Sequence, residues 1–121
     1  MKASSILGLN ARGALFTGKY NNRKAKRIAD SKLQTDRVLR FAGVAHPKIF
    51  KKFTTAEDVF GFDWTSLPDA FALKPSRGLG GDGIVVVKKR IGDREWVTAS
   101  KQTITAEDFK MHCLDILEGA F

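Results

Sequence analysis

The sequence predicts an α+β fold in which N-terminal helices precede a small, mainly antiparallel sheet bearing a glycine-rich hairpin loop. Three observations predict it. Four glycines, Gly78, Gly80, Gly81 and Gly83, interrupt two apolar runs, Phe71–Leu73 and Ile84–Val87. Such a pattern reads as strand, turn and strand. Two hydroxyl-to-acid patterns, Thr55-Ala56-Glu57-Asp58 and Thr105-Ala106-Glu107-Asp108, flank this region and resemble capping boxes that open helices. Charge is also divided: Met1–Lys52 holds 13 of the 21 Lys and Arg but two of the 13 acids, Asp30 and Asp36.

Taken in order, Ser5–Arg12 is an apolar opening broken by Gly8 and Asn10, and Gly18–Arg27 reads as a basic, turn-rich link through Tyr20-Asn21-Asn22. Asp30 or Ser31 can cap a helix that runs through Lys32, Leu33, Val38, Leu39 and Phe41. Gly43 is its expected stop, because glycine takes the left-handed conformation that ends helices. Val44–Lys52 reads as a short strand interrupted by Pro47. After the short helix at Thr55, Asp63–Asp69 is a loop leading into the hairpin. The second hairpin strand runs from Ile84 to Lys88 and ends near Ile91-Gly92-Asp93, and Glu95–Ala99 is a third strand. The last helix carries Phe109, Cys113, Ile116 and Leu117 at helical spacing.

Composition narrows the class. With 121 residues and 43% hydrophobic content the chain has enough apolar material for a modest core. No apolar run approaches the roughly 20 residues of a membrane helix. The opening is a poor signal peptide, since its apolar segment stops at Asn10 and Arg12. The single cysteine, Cys113, cannot form an internal disulfide and reads as a buried helix residue; together these features suit the cytoplasm. The net charge of +8 suits a nucleic acid, an anionic surface or an anionic small molecule as partner. The basic half lacks the regular aromatic–basic alternation of a base-stacking platform. His46 and His112 have no metal-ligand spacing and read as surface or packing residues, and Trp64 and Trp96 as core or interface aromatics.

The glycine loop carries the chemistry. Its glycines admit positive φ and remove side chains that would hold a ligand off the backbone. Successive amides in such a loop can converge on an anion, and Lys74 beside it adds a full positive charge. The letters fit G-x-G-x-x-G, but a dinucleotide fingerprint must open a helix, and here a β-branched run follows. A P-loop is excluded because no Lys-Ser or Lys-Thr follows the last glycine. A kinase-like hairpin remains open, with Val85 completing G-x-G-x-x-G-x-V, although no His-Arg-Asp or Asp-Phe-Gly is present. The glycines also suit a plain hairpin turn that holds no ligand, and the basic half suits a nucleic-acid-binding module without enzymatic activity.

At Lys32, Ala42-Gly43-Val44, Leu73-Lys74-Pro75 and Ser76–Gly83 the sequence resembles the ATP-grasp ligases, with the features in that family's order. Ile6–Arg12, Tyr20-Asn21-Asn22-Arg23 and Gly78–Ile84 resemble more narrowly the alpha-L-glutamate ligase-related, sugar-transfer-associated branch. Two departures are Ser31, where the branch has a second acid, and Ala45, where it often has proline.

The resemblance implies an ATP-binding portion of an ATP-dependent carboxylate–amine or carboxylate–thiol ligase acting through an acylphosphate. It assigns ATP contact to Lys32 and Lys74 at the α- and β-phosphates. The loop, with Ser76, Arg77, Gly78, Gly80, Gly81 and Gly83, would fold over the β- and γ-phosphates as a mobile lid. It also implies Mg²⁺, with ligands outside this chain; Asp82 at the loop tip, Glu107, Asp108, Asp115 and Glu118 are not expected to hold it. On this reading residues 1–121 form one partial ATP-grasp domain, 1–52 a basic helical part and 53–121 the sheet, loop and C-terminal helix. The chain is then a fragment that ends before its metal ligands and does not turn over alone. Its partners would be ATP, a carboxylate substrate, and either the missing half or a second copy covering an exposed apolar face.

Overall fold

The computed structural model describes residues 6–78 and 80–121. Met1–Ser5, which include the start of the apolar opening, and Leu79 of the glycine loop lie outside the described residues. The chain divides into two compact units, Met1–His46 and Pro47–Phe121.

The first unit is helical. Helix α1 (Leu9–Arg12) passes through a π-helical turn, Gly13–Thr17, into α2 (Gly18–Tyr20). Helix α3 (Arg23–Asp30) follows, where the sequence read a turn-rich link. Asn22 is the reason: its side chain accepts from the Lys24 N–H at 2.7 Å, so it caps a helix instead of making a turn. Helix α4 (Lys32–Phe41) has the expected range, and of the two candidate caps it uses Ser31, which accepts from the Gln34 N–H at 3.4 Å. Asp30 is instead the last residue of α3. Ser31 also joins the two helices, its N–H donating to the Ile28 carbonyl, which accepts the Thr35 hydroxyl as well.

Gly43 ends α4 at φ +69°. The Gly43 N–H donates to Arg40 and the Val44 N–H to Leu39, a Schellman arrangement that satisfies the last carbonyls. No strand forms over 44–52. Proline at position 47 removes a donor, and no neighbouring strand offers this segment a ladder.

The second unit holds the sheet. Strands β1 (Phe71–Leu73), β2 (Val85–Gly92), β3 (Glu95–Thr98) and β4 (Thr103–Thr105) form an antiparallel meander in that order. Phe71 faces Val87 and Leu73 faces Val85, so the residues between them close a hairpin. In β2, Val85 and Val87 face the core side while Val86 and Lys88 are exposed. The register with β3 slips between Val87 and Lys89. That bulge leaves both Lys88 and Lys89 exposed and returns Arg90 to the core side.

Helices α5 (Ala56–Phe60) and α6 (Ala106–Leu117) each open with the capping box their sequences announce. Around them packs one core: Val59, Trp64, Leu67, Val87, Trp96, Ala106, Phe109 and Cys113, with Phe53, Phe71 and Ile104 against it. Its centre is a ladder of rings. Trp64 stacks on Phe53 at 5.5 Å and on Phe109 at 5.7 Å, and Trp96 meets Phe109 edge to face. Each such pair adds about 0.5–1.5 kcal/mol beyond the area it buries.

Arg90 ties the loop before β1 to the sheet. Its guanidinium donates to the carbonyls of Thr65, Leu67 and Asp93 and lies 5.0 Å from the centre of the Trp96 ring. Trp96 is fully buried and, among the described residues, its indole N–H has no acceptor. Burial of the rest of the ring and the guanidinium above it offset that loss.

Candidate functional site

The candidate phosphate-binding residues fall in both units. Lys32 is the first residue of α4, half-buried, in a helical turn that contains no acid. Negative charge is favoured at such a helix start, where backbone N–H groups point outward.

Lys74, Ser76, Arg77, Gly78, Gly80, Gly81 and Gly83 all lie in the segment joining β1 to β2, and so on one hairpin. Lys74 leaves β1 immediately after Leu73 and is exposed, whereas the next residue, Pro75, is buried. The proline fixes φ and roots the loop, and the lysine before it projects from a defined stem. Ser76, Arg77 and Gly78 are exposed, as are Gly80 and Gly81. Among the described residues no carboxylate pairs with Lys32, Lys74 or Arg77. These cations are therefore not neutralised within the described residues.

The four glycines all take positive φ: +136° at Gly78, +70° at Gly80, +84° at Gly81 and +70° at Gly83. A Cβ added at Gly80 or Gly81 would meet no described atom within 4 Å, so backbone conformation and not crowding requires glycine there. Gly83 differs. A Cβ there would stand 2.8 Å from Phe121 Cγ and 2.9 Å from Pro75 Cγ, so steric demand is added to the conformational one. The tip is thus open at its described glycines, while its base is tightly packed. A bare tip lets an anion reach the backbone amides, and a packed base keeps them in place.

The matching family model is that of sugar-transfer-associated ATP-grasp, over residues 11–121. The chain belongs to this family. No curated protein and no solved structure matches it. As an ATP-grasp member it is a nucleotide-binding domain of ATP-dependent ligase type. Membership also fits the sheet with its loop between antiparallel strands, and an α+β architecture in place of a Rossmann one.

The site's surroundings separate what fits the family's ligands from what does not. Lysines with no carboxylate partner among the described residues and an exposed glycine loop fit a polyphosphate. For Mg²⁺ the fit is poor: among the described residues no three His, Cys, Asp or Glu side chains come together. Asp58, Asp63 and Asp108 are committed elsewhere. Asp58 is held down to about 2, chiefly by the Thr54 N–H, with the Thr54 hydroxyl and the Thr55 N–H adding to it. Asp63 is lowered by the Thr65 hydroxyl and N–H, and Asp108 by the Thr105 N–H and hydroxyl. Cys113 is no nucleophile, because burial raises its thiol to about 11.

A shallow hollow lined by Arg94, Glu95, Thr105, Ala106 and Glu107 includes none of the loop residues. Arg94 and Glu107 are paired across it at 2.8 Å, and Thr105 is the cap of α6. Arg94, Glu107 and Thr105 are thus occupied by structure. Sequence reasoning missed two residues near the loop: Phe121, which packs against Gly83, and His112, whose ring bonds the Gly83 carbonyl. No spacing rule joins residues so far apart.

Proposed function

We propose that this chain forms the triphosphate-binding part of an ATP-dependent carboxylate ligase. The observation that carries the reading is the hairpin itself. A glycine tip of positive φ sits between two antiparallel strands, with Lys74 on its first stem and no carboxylate paired with it among the described residues, in a chain of the ATP-grasp family. Lys74 and Arg77 supply charge to the phosphates, Ser76 a hydroxyl, and Gly78, Gly80, Gly81 and Gly83 the backbone. Lys32, at the start of α4, is a second candidate ammonium for phosphate.

Lysine suits this work as a compact point charge that needs no bidentate geometry. In the reaction of this class a substrate carboxylate oxygen attacks the γ-phosphorus and ADP leaves. The nitrogen or sulfur nucleophile then attacks the acyl carbon, and inorganic phosphate leaves with the former carboxylate oxygen. Phosphoryl transfer asks for alignment and charge neutralisation more than covalent help, which is what a lysine and a glycine loop provide. The described residues do not fit Mg²⁺. We place the protein in the cytoplasm, where ATP is available.

The test is calorimetric titration of the chain with ATP, wild type against Lys74→Ala. A charge-assisted contact of this kind is worth about 1.5–3 kcal/mol, so the variant should bind at least tenfold more weakly. Equal affinity for both chains would contradict the assignment of Lys74.

A further inference from the structure

The carbonyl of Gly83 accepts a hydrogen bond from His112 Nε2 at 2.8 Å, across 29 positions of sequence. A carbonyl oxygen only accepts, so Nε2 carries the proton in this contact. Gly83 stands just outside the β1–β2 ladder, whose last pair on this side is Leu73 with Val85. The imidazole thus gives this carbonyl a partner beyond the end of the ladder.

His112 does not act alone. The Phe121 ring lies 5.1 Å from the imidazole and covers the position where a Gly83 side chain would project. Pro75, on the opposite stem, closes the same space. Phe121 is delivered there by the end of α6. Gly119 takes φ +84°, its N–H donates to Ile116 at 3.1 Å, and the Ala120 N–H donates to Asp115 at 3.0 Å. That is a Schellman turn, which reverses the chain after the helix and sends Phe121 back toward the loop.

We propose that His112 is a positioning residue for the glycine loop. It fixes the Gly83 carbonyl while Phe121 wedges the two stems, and α6 thereby holds the loop in its phosphate-receiving conformation. The proposal rests on the phosphate-binding reading for its purpose, but its geometry does not depend on it. A glycine-rich tip has much backbone entropy to lose, and anchoring its base lowers what remains to be lost when a ligand arrives.

The experiment measures amide hydrogen exchange at residues 80–84 in the ligand-free chain, ATP affinity by calorimetry, and the melting temperature. The chains are wild type, His112→Ala, His112→Gln and Phe121→Ala. Removing one buried-side donor should speed exchange at residues 80–84 by about tenfold in His112→Ala and weaken ATP by a similar factor. His112→Gln keeps an N–H donor of similar reach and should restore most of both. Phe121→Ala, which removes a half-exposed ring outside the core, should also speed exchange at the loop while leaving that of β3 unchanged.

Loop exchange in His112→Ala equal to wild type would overturn the proposal. So would a His112→Gln chain no better than His112→Ala at equal melting temperature, since that marks simple packing. If the wild type binds no ATP, the nucleotide reading fails by itself, and the loop exchange still decides whether His112 positions Gly83.

Discussion

Among the described residues of the sheet unit eight apolar side chains are buried in one cluster, from Val59 to Cys113; in the helical unit none of the helices α1 to α4 buries a residue. There the one buried side chain among the described residues is Ser31, a cap. Large apolar groups stand exposed in the same unit, including Leu9, Leu15, Tyr20 and Phe41, the last at 96%. The sheet unit is held by burial, which is non-local and large. Helices α3 and α4 are held by Asn22, Ser31, Thr35 and Gly43, which are local and small. Helices of this length are marginal without a packed face, so each cap carries a larger share of their stability. The two proposed phosphate lysines sit on opposite sides of this divide. Lys74 rises from a packed sheet, and Lys32 from a helix start that depends on its cap.

The largest effect expected is on the buried rings. Trp96→Ala should destabilise the sheet unit by about 3–5 kcal/mol, since it opens a cavity beneath Phe71, Phe109 and Arg90. Urea unfolding followed by Trp64 fluorescence reads this. A loss below about 1 kcal/mol would break the contrast, because it would mean the ring ladder is not what holds the unit.

Ser31→Ala sharpens the contrast from the other side. A lost serine cap costs about 1 kcal/mol, little in a well-packed protein but enough to unwind a marginal helix. Far-ultraviolet ellipticity should fall while the unfolding midpoint of the sheet unit stays unchanged. Undiminished ellipticity would show that α4 has support besides its cap.

The smallest effect concerns acid. Hydrogen bonds from Thr54 and Thr55 hold the Asp58 carboxyl at about 2 in the folded chain, below the value of about 4 it has unfolded. The folded state therefore prefers the ionised form. Its stabilising contribution is complete above pH ~4 and is lost as pH falls toward 2. Melting temperature measured across that window should fall less steeply for Asp58→Asn than for wild type. Some slope will remain, because Asp63 and Asp108 are lowered in the same sense. An identical slope would remove Asp58 from the acid sensitivity.

The sequence made most of the sheet unit legible because its signals are strong and local. Thr105 with Asp108, Thr55 with Asp58, and the glycines between two β-branched or apolar runs each state their geometry within a few residues. The helical unit was half legible: Ser31 and Gly43 bounded α4, whereas α3 hid behind Asn21-Asn22, a pair equally suited to a turn or a cap. Strand β4 was missed because Thr103–Thr105 is short and runs directly into the capping box of α6. Slippage at Lys88–Lys89 was not legible either, since a bulge depends on which strand lies opposite. At the candidate site, Lys74 and the glycines announced themselves. His112 and Phe121 did not, because their roles arise only when α6 folds back on the loop.

The most direct test of the phosphate-binding reading is residue-resolved amide NMR of the Gly80, Gly81 and Gly83 signals during titration with ATP and, separately, with adenosine. If the loop receives phosphates, ATP should move these three glycine signals in a saturable way and adenosine should leave them in place. Glycine signals that respond equally to both ligands, or to neither, would contradict it.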